Sequence, residues 1–270
     1  MFSMIAFTLR IVVCVSSFAL AAGCGNGGSS GTADSASVDN GLIEIPMADG
    51  VRVYGSPHQG GLDASAPLIH LFHQGGSNGA GEYGSLIGWL NENGFRAIAW
   101  DARAGGDTFG GENRTQATVT DQPSDYCDAY GDVEAAIKRG ETIAGDAPVI
   151  VWGSSYSGAL VFQAAAKNPD LIDAIIAFSP ASGGPLADCR AIQYINGVTA
   201  PALVLRPASE MERESAQNQR AILEAAGVRV EVFEHGVHGS SMLVDDRTGH
   251  DMSEARDIVI DWLKEQTEEN

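Results

Sequence analysis

From residue 42 onward, apolar runs of strand length alternate with stretches whose apolar positions recur at helical spacing. Residues 42–46 and 51–54 predict a small hairpin, with Asp49-Gly50 supplying the turn. Residues 67–72 form a continuous apolar run, and 82–93 predict a helix ended by Gly94. Further strands are expected at 95–100, 148–152, 172–178, 202–205 and 228–234, with helices at 126–142, 156–167, 212–226 and 253–265. Strands apolar on both faces, alternating with helices, specify a mostly parallel sheet covered on both sides. Two long, polar, Gly-rich segments interrupt the rhythm, at 104–125 and 181–199. Each follows a strand, so each leaves from the carboxyl edge of the sheet, where ligands bind in open α/β folds.

The first 40 residues follow a different pattern. Arg10 precedes an apolar stretch over 11–22, which is short for a transmembrane helix and of the length of a signal peptide. It ends in Leu20-Ala21-Ala22-Gly23-Cys24, which resembles the lipobox of bacterial lipoproteins; the resemblance implies acylation of Cys24 and a membrane anchor through it. Ala21 stands where Leu is usual, so ordinary cleavage after Ala21 stays open. Residues 25–40 are Gly, Ser, Ala and Asp with little to bury, the composition of a flexible tether. The expected organisation is a signal peptide over 1–23, a tether over 24–40 and one catalytic domain over 41–270, in a protein of the cell envelope or secreted.

Composition narrows the function. The 270 residues carry 16 Lys and Arg against 35 Asp and Glu, a formal charge of -19, which repels a phosphate backbone and argues against nucleic-acid binding. Export would remove Cys14 with the leader and acylate Cys24, leaving Cys127 and Cys189 as a disulfide candidate in an oxidising compartment. Such a bond would tie the two long segments into a small, stiff, loop-rich lid. No metal-ligand spacing is present among the six His.

The most informative segment is residues 149–158, where an apolar strand runs into Gly153-Ser154-Ser155-Tyr156-Ser157 and then a helix. A Ser at this turn has its hydroxyl raised above the sheet edge, and small residues two positions either side let the backbone pass. Gly153 and Ser157 fill those places around Ser155; neither Ser154 nor Ser157 has a Gly two residues upstream.

Here the chain resembles the α/β-hydrolase superfamily, in particular its small bacterial dienelactone-hydrolase-like and esterase members. The resemblance spans about residues 42–265. It implies a mostly parallel α/β-hydrolase sheet with helices on both faces, a small-molecule ester substrate, an acyl-enzyme and no cofactor; the alternatives are amide, thioester or lipid-ester hydrolysis by the same residues, or a non-catalytic surface lipoprotein that keeps the scaffold. It further implies an oxyanion donor after an earlier strand, then an acid and a His after the nucleophile. His73-Gln74-Gly75-Gly76 fits the first demand: Gly75, or Gln74 beside it, would give one N–H and Tyr156 the other, with His73 a structural hydrogen bonder. Glu210 falls on the acid position, with Glu212 and Glu214 as alternatives. His238 follows the next strand, with His235 as runner-up, while His250 is expected to cap the last helix. Asp101 and Arg103 are read as pinning loops. Ser155 in place of Cys disfavours a dienelactone hydrolase proper.

Overall fold

The computed structural model describes residues 38–39, 41–120 and 125–268, so the leader, Cys24 and most of the tether lie outside the described residues. Nine strands form one sheet: β1 (Val38–Asp39), β2 (Leu42–Pro46), β3 (Arg52–His58), β4 (Leu68–Phe72), β5 (Arg96–Asp101), β6 (Val149–Ser154), β7 (Ala174–Phe178), β8 (Ala202–Pro207) and β9 (Arg229–Phe233). Their order is β1-β2-β3-β5-β4-β6-β7-β8-β9, antiparallel through β1, β2, β3 and β5 and parallel thereafter. Val38 and Asp39, which the sequence placed in the tether, pair with β2.

Helices α1 (Gly79–Glu92), α2 (Tyr130–Ala144), α3 (Tyr156–Lys167), α4 (Ala191–Tyr194), α5 (Glu214–Ala225), α6 (Asp245–Thr248) and α7 (Ser253–Glu268) fill the connections. The central strands β4, β5, β6, β7 and β8 are buried at every residue, as their unbroken apolar runs require. Successive side chains feed opposite cores. Val149 and Val151 of β6 meet one core with α2 and α3, while Ile150 and Trp152 meet the other with α1 and α7.

Two elements begin elsewhere than the sequence suggests. Helix α1 starts at Gly79 because the Asn78 side chain accepts from the Gly81 N–H, a stronger start signal than the apolar spacing. The expected helix over 126–142 is instead a 3₁₀ turn, Cys127–Ala129, followed by α2.

Strand order decides where the site lies. The connection from β4 runs outward to β5 and the one from β6 runs the other way to β7, so the chain diverges above the β4/β6 pair. Phe72 faces Gly153 across that pair, which sets the turn after β4 beside the turn after β6. Cys127 and Cys189 are bonded, with Cα atoms 5.7 Å apart, joining the start of α2 to the segment before α4.

Candidate active site

Ser155 connects β6 directly to α3 with φ +60° and ψ -115°, a conformation that strains a residue bearing a Cβ. Its neighbours hold it there. The Ser155 N–H donates to Phe178 O at 2.8 Å, and Ser155 O accepts from Ala181 at 2.9 Å. A Cβ at Gly153 would lie 2.4 Å from Ser157 O, so the residue two before the turn must be Gly. Ser157, standing where this turn usually has Gly, is buried and its hydroxyl is in use. It accepts from the Ser154 N–H at 2.8 Å and lies 2.7 Å from Phe72 O, stitching the turn to the end of β4.

His238 and Glu210 meet as the sequence order implies. Strand β8 runs through Pro207 into a 3₁₀ turn, Ala208–Glu212, that presents Glu210. His238 Nδ1 donates to Glu210 Oε1, which fixes the tautomer and leaves Nε2 as the unprotonated ring nitrogen. Glu210 is buried, which alone would raise its pKa. The hydrogen bond and charge of His238, with the charge of Arg206, hold it below the ordinary carboxylate value instead. Arg206 Nη1 donates to Glu210 Oε2 at 2.8 Å, and the same guanidinium reaches Pro180 O and Gln219 Oε1.

The His238 loop is docked on the sheet ends by buried hydrogen bonds. The Gly239 N–H donates to Ser179 Oγ at 3.1 Å, the Ser240 N–H to Ser154 Oγ at 3.0 Å, and Trp152 Nε1 to Ser240 Oγ at 2.9 Å. These contacts bring the His loop against the turn that carries Ser155. No hydrogen bond joins Ser155 Oγ to His238 among the described residues, and such contacts are commonly long until substrate is bound. The other candidates are placed apart. Glu212 and Glu214 are exposed. His235 stacks on His250 with ring centroids 4.0 Å apart. His250 therefore does not cap α7; Asp251 does, accepting from the Ser253 N–H at 2.9 Å.

The turn after β4 divides its two candidate donors. The Gln74 N–H points inward to Glu82 Oε2 at 2.6 Å, whereas the Gly75 N–H has no acceptor among the described residues. The Tyr156 N–H opens α3 and cannot bond within it. His73 is buried and structural as expected: Nδ1 donates to Gln74 O and Nε2 accepts from the Ala102 N–H at 2.9 Å. Asp101 accepts from Gly79 N and Arg114, and Arg103 grips Asp132 and Asp49, so both pin loops. Tyr126, absent from the sequence reading, stacks on Tyr156 at 5.0 Å and covers Gly75, where a Cβ would lie 2.7 Å from its hydroxyl oxygen.

Comparison with known proteins fits this geometry. The family model described as serine aminopeptidase, S33 (Hydrolase_4) matches residues 64–226. The chain belongs to this family. The S33 match spans β4, α1, β5, α2, β6, α3, β7 and β8, hence both turns of the site. No curated protein matches the sequence. Among solved structures, Est1E from Butyrivibrio proteoclasticus superposes with TM-score 0.61 at 16% identity, covering 84% of this chain and 99% of that one. The Pyrococcus furiosus esterase gives TM-score 0.59 at 17% identity, covering 84% and 90%. The bacterial brefeldin A esterase gives 0.65 at 15% identity, covering 89% and 81%. These likenesses show that the S33 chain has the α/β-hydrolase fold.

Proposed function

We propose that this protein is an exported serine hydrolase that cleaves small carboxylic esters through an acyl-enzyme on Ser155. The observation that carries the reading is the left-handed backbone of Ser155 at the turn between β6 and α3, with the paired His238 and Glu210 docked beside it. His238 Nε2 takes the Ser155 proton as Oγ attacks the carbonyl carbon. Glu210, fixed by Arg206, holds the ring and stabilises the imidazolium. The oxyanion is received by the Gly75 and Tyr156 N–H groups, each such donor being worth about 2.7 to 4 kcal/mol in comparable sites. Collapse expels the alcohol, protonated by His238, and water activated by the same ring releases the acid and frees Ser155.

Export and anchoring at Cys24 are supported by the apolar stretch, the small residues before Cys24 and the Gly/Ser-rich tether. The Cys127–Cys189 bond suits an oxidising compartment. Ester substrates are favoured because two of the superposed proteins are described as esterases. The family's own description favours amide hydrolysis as the second reading. Kinetics on p-nitrophenyl acyl esters of graded chain length and on aminoacyl p-nitroanilides separate the two. The ester reading predicts a burst of p-nitrophenol and an acyl adduct on Ser155 by mass spectrometry. Turnover confined to the anilides would overturn it.

A further inference from the structure

Beneath the site lies a carboxylate that the triad chemistry does not use. Glu82, on the first turns of α1, is fully buried, and its Oε2 accepts from the Gln74 N–H at 2.6 Å. The peptide unit that follows ends in the Gly75 N–H, so the orientation of the oxyanion turn is fixed from behind by this bond. The Ser154 hydroxyl, on the turn that carries Ser155, accepts from the Ser240 N–H, two residues from His238. Gln74 Oε1 and Ser154 Oγ both crowd Gly239, lying 2.6 and 2.5 Å from where a Cβ there would sit. The turn after β4, the turn bearing Ser155 and the His238 loop therefore meet around Gly239, and the buried acid fixes the first of them.

We propose that Glu82 is a positioning residue for the acyl transfer described above, on which this inference rests: its ionised carboxylate holds the Gln74 N–H and so aims the Gly75 N–H at the site. A core carboxylate is costly, and here the cost is visible. Glu82 Oε1 and Gln74 Oε1 are both buried acceptors without a hydrogen-bond partner among the described residues. Burial raises the Glu82 pKa to about 7, opposed by the nearby Ser154 hydroxyl, by the bond from Gln74 and by the charges of Arg247 and His238. The groups facing it are Arg247 from α6, His238 from the loop after β9, Tyr156 from α3 and Tyr83 from its own helix. Arg247 donates to the Gly81 and Glu82 carbonyls at 2.7 and 2.9 Å, clamping the start of α1 in place. A carboxylate that protonates as pH falls through about 7 would loosen the Gln74 bond and so couple the oxyanion turn to pH.

The test is the rate at which a fluorophosphonate inactivates the full chain between pH 5 and 9, since phosphonylation loads the same hole without needing the natural substrate. Wild type is expected to lose rate more steeply than Glu82→Gln as pH falls through about 7, because Glu82 takes up a proton there. Glu82→Gln is expected to react at least about tenfold more slowly at pH 8, with an ester KM within twofold of wild type and a shallower pH profile. Equal rates and equal slopes in the two proteins would overturn the role of Glu82 while leaving the serine-hydrolase reading intact. Wild type that is not labelled at Ser155 would overturn that reading and this one with it. If Glu82→Gln does not fold, Glu82→Asp serves instead, since its shorter carboxylate draws back from the Gln74 N–H: a loss of at least about threefold with unchanged KM supports the proposal, and wild-type kinetics overturn it.

Discussion

Replacing Glu82 by Gln should stabilise the fold at alkaline pH even as it slows the reaction. The carboxyl is raised from 4.5 to about 7 in the folded protein. At 1.36 kcal/mol per pKa unit that is about 3 kcal/mol of penalty once the group is ionised. The sign follows from proton counting: between 4.5 and 7 the native state holds the Glu82 proton and the unfolded chain has released it. Stability from this group is therefore present below pH 4.5 and lost as pH rises through 7. Gln has nearly the shape of the protonated acid and no titration. The difference in unfolding free energy, variant minus wild type, should grow by about 2 to 3 kcal/mol between pH 5 and pH 8.5. Urea unfolding followed by tryptophan fluorescence at both pH values measures it, and taking the difference cancels the other titrating groups. A difference that changes by less than about 1 kcal/mol between the two conditions would refute the reasoning, because it would mean the carboxylate is not strained by burial.

Three further outcomes are expected. The Cys127–Cys189 bond closes 62 residues of chain, so a Cys127→Ala/Cys189→Ala variant should lose up to about 4 kcal/mol in urea unfolding; an unchanged midpoint would show that the bond does not form in solution. Gly75→Ala places a Cβ 2.7 Å from the Tyr126 hydroxyl oxygen and should cost about tenfold or more in kcat, with part of the loss regained on adding Tyr126→Ala. His70, buried against Trp100 and pushed down to about 3 by burial, stays neutral where the unfolded chain protonates, so its contribution is complete above pH 6.5 and is lost as pH falls toward 3. His70→Gln should accordingly lose about 3 kcal/mol less than wild type between pH 7 and pH 4.5, read as the difference in urea midpoints.

Much of the site was legible because each main part is a local pattern. A buried strand ending in Gly153-Ser154-Ser155 must turn sharply, and the structure puts the turn there with Ser155 at φ +60°. The resemblance to α/β-hydrolases implied an acid and a histidine after two later strands, and Glu210 and His238 do meet. What stayed hidden depends on contacts between distant segments. The sequence starts the helix at residue 82 and gives no sign of which way Glu82 points. The Asn78 cap starts the helix earlier and turns Glu82 into the core. Arg206 sits in an apolar strand and gives no sign of the carboxylate it pairs with on the next turn. The choice between Gln74 and Gly75 rested on which N–H faces inward, a matter decided by Glu82 rather than by the turn itself. Ser157 looked like a departure from pattern, yet its hydroxyl bridges β4 and β6 in a way Gly could not.

The central claim is that Ser155 is the nucleophile of an acyl-transfer site. Labelling of the purified full chain with a fluorophosphonate, followed by peptide mapping, tests it most directly against Ser155→Ala. One equivalent of label on Ser155, abolished in Ser155→Ala with the fold intact by circular dichroism, is the predicted result. Equal labelling of the two proteins, or label found on Ser154 or Ser157, would contradict it.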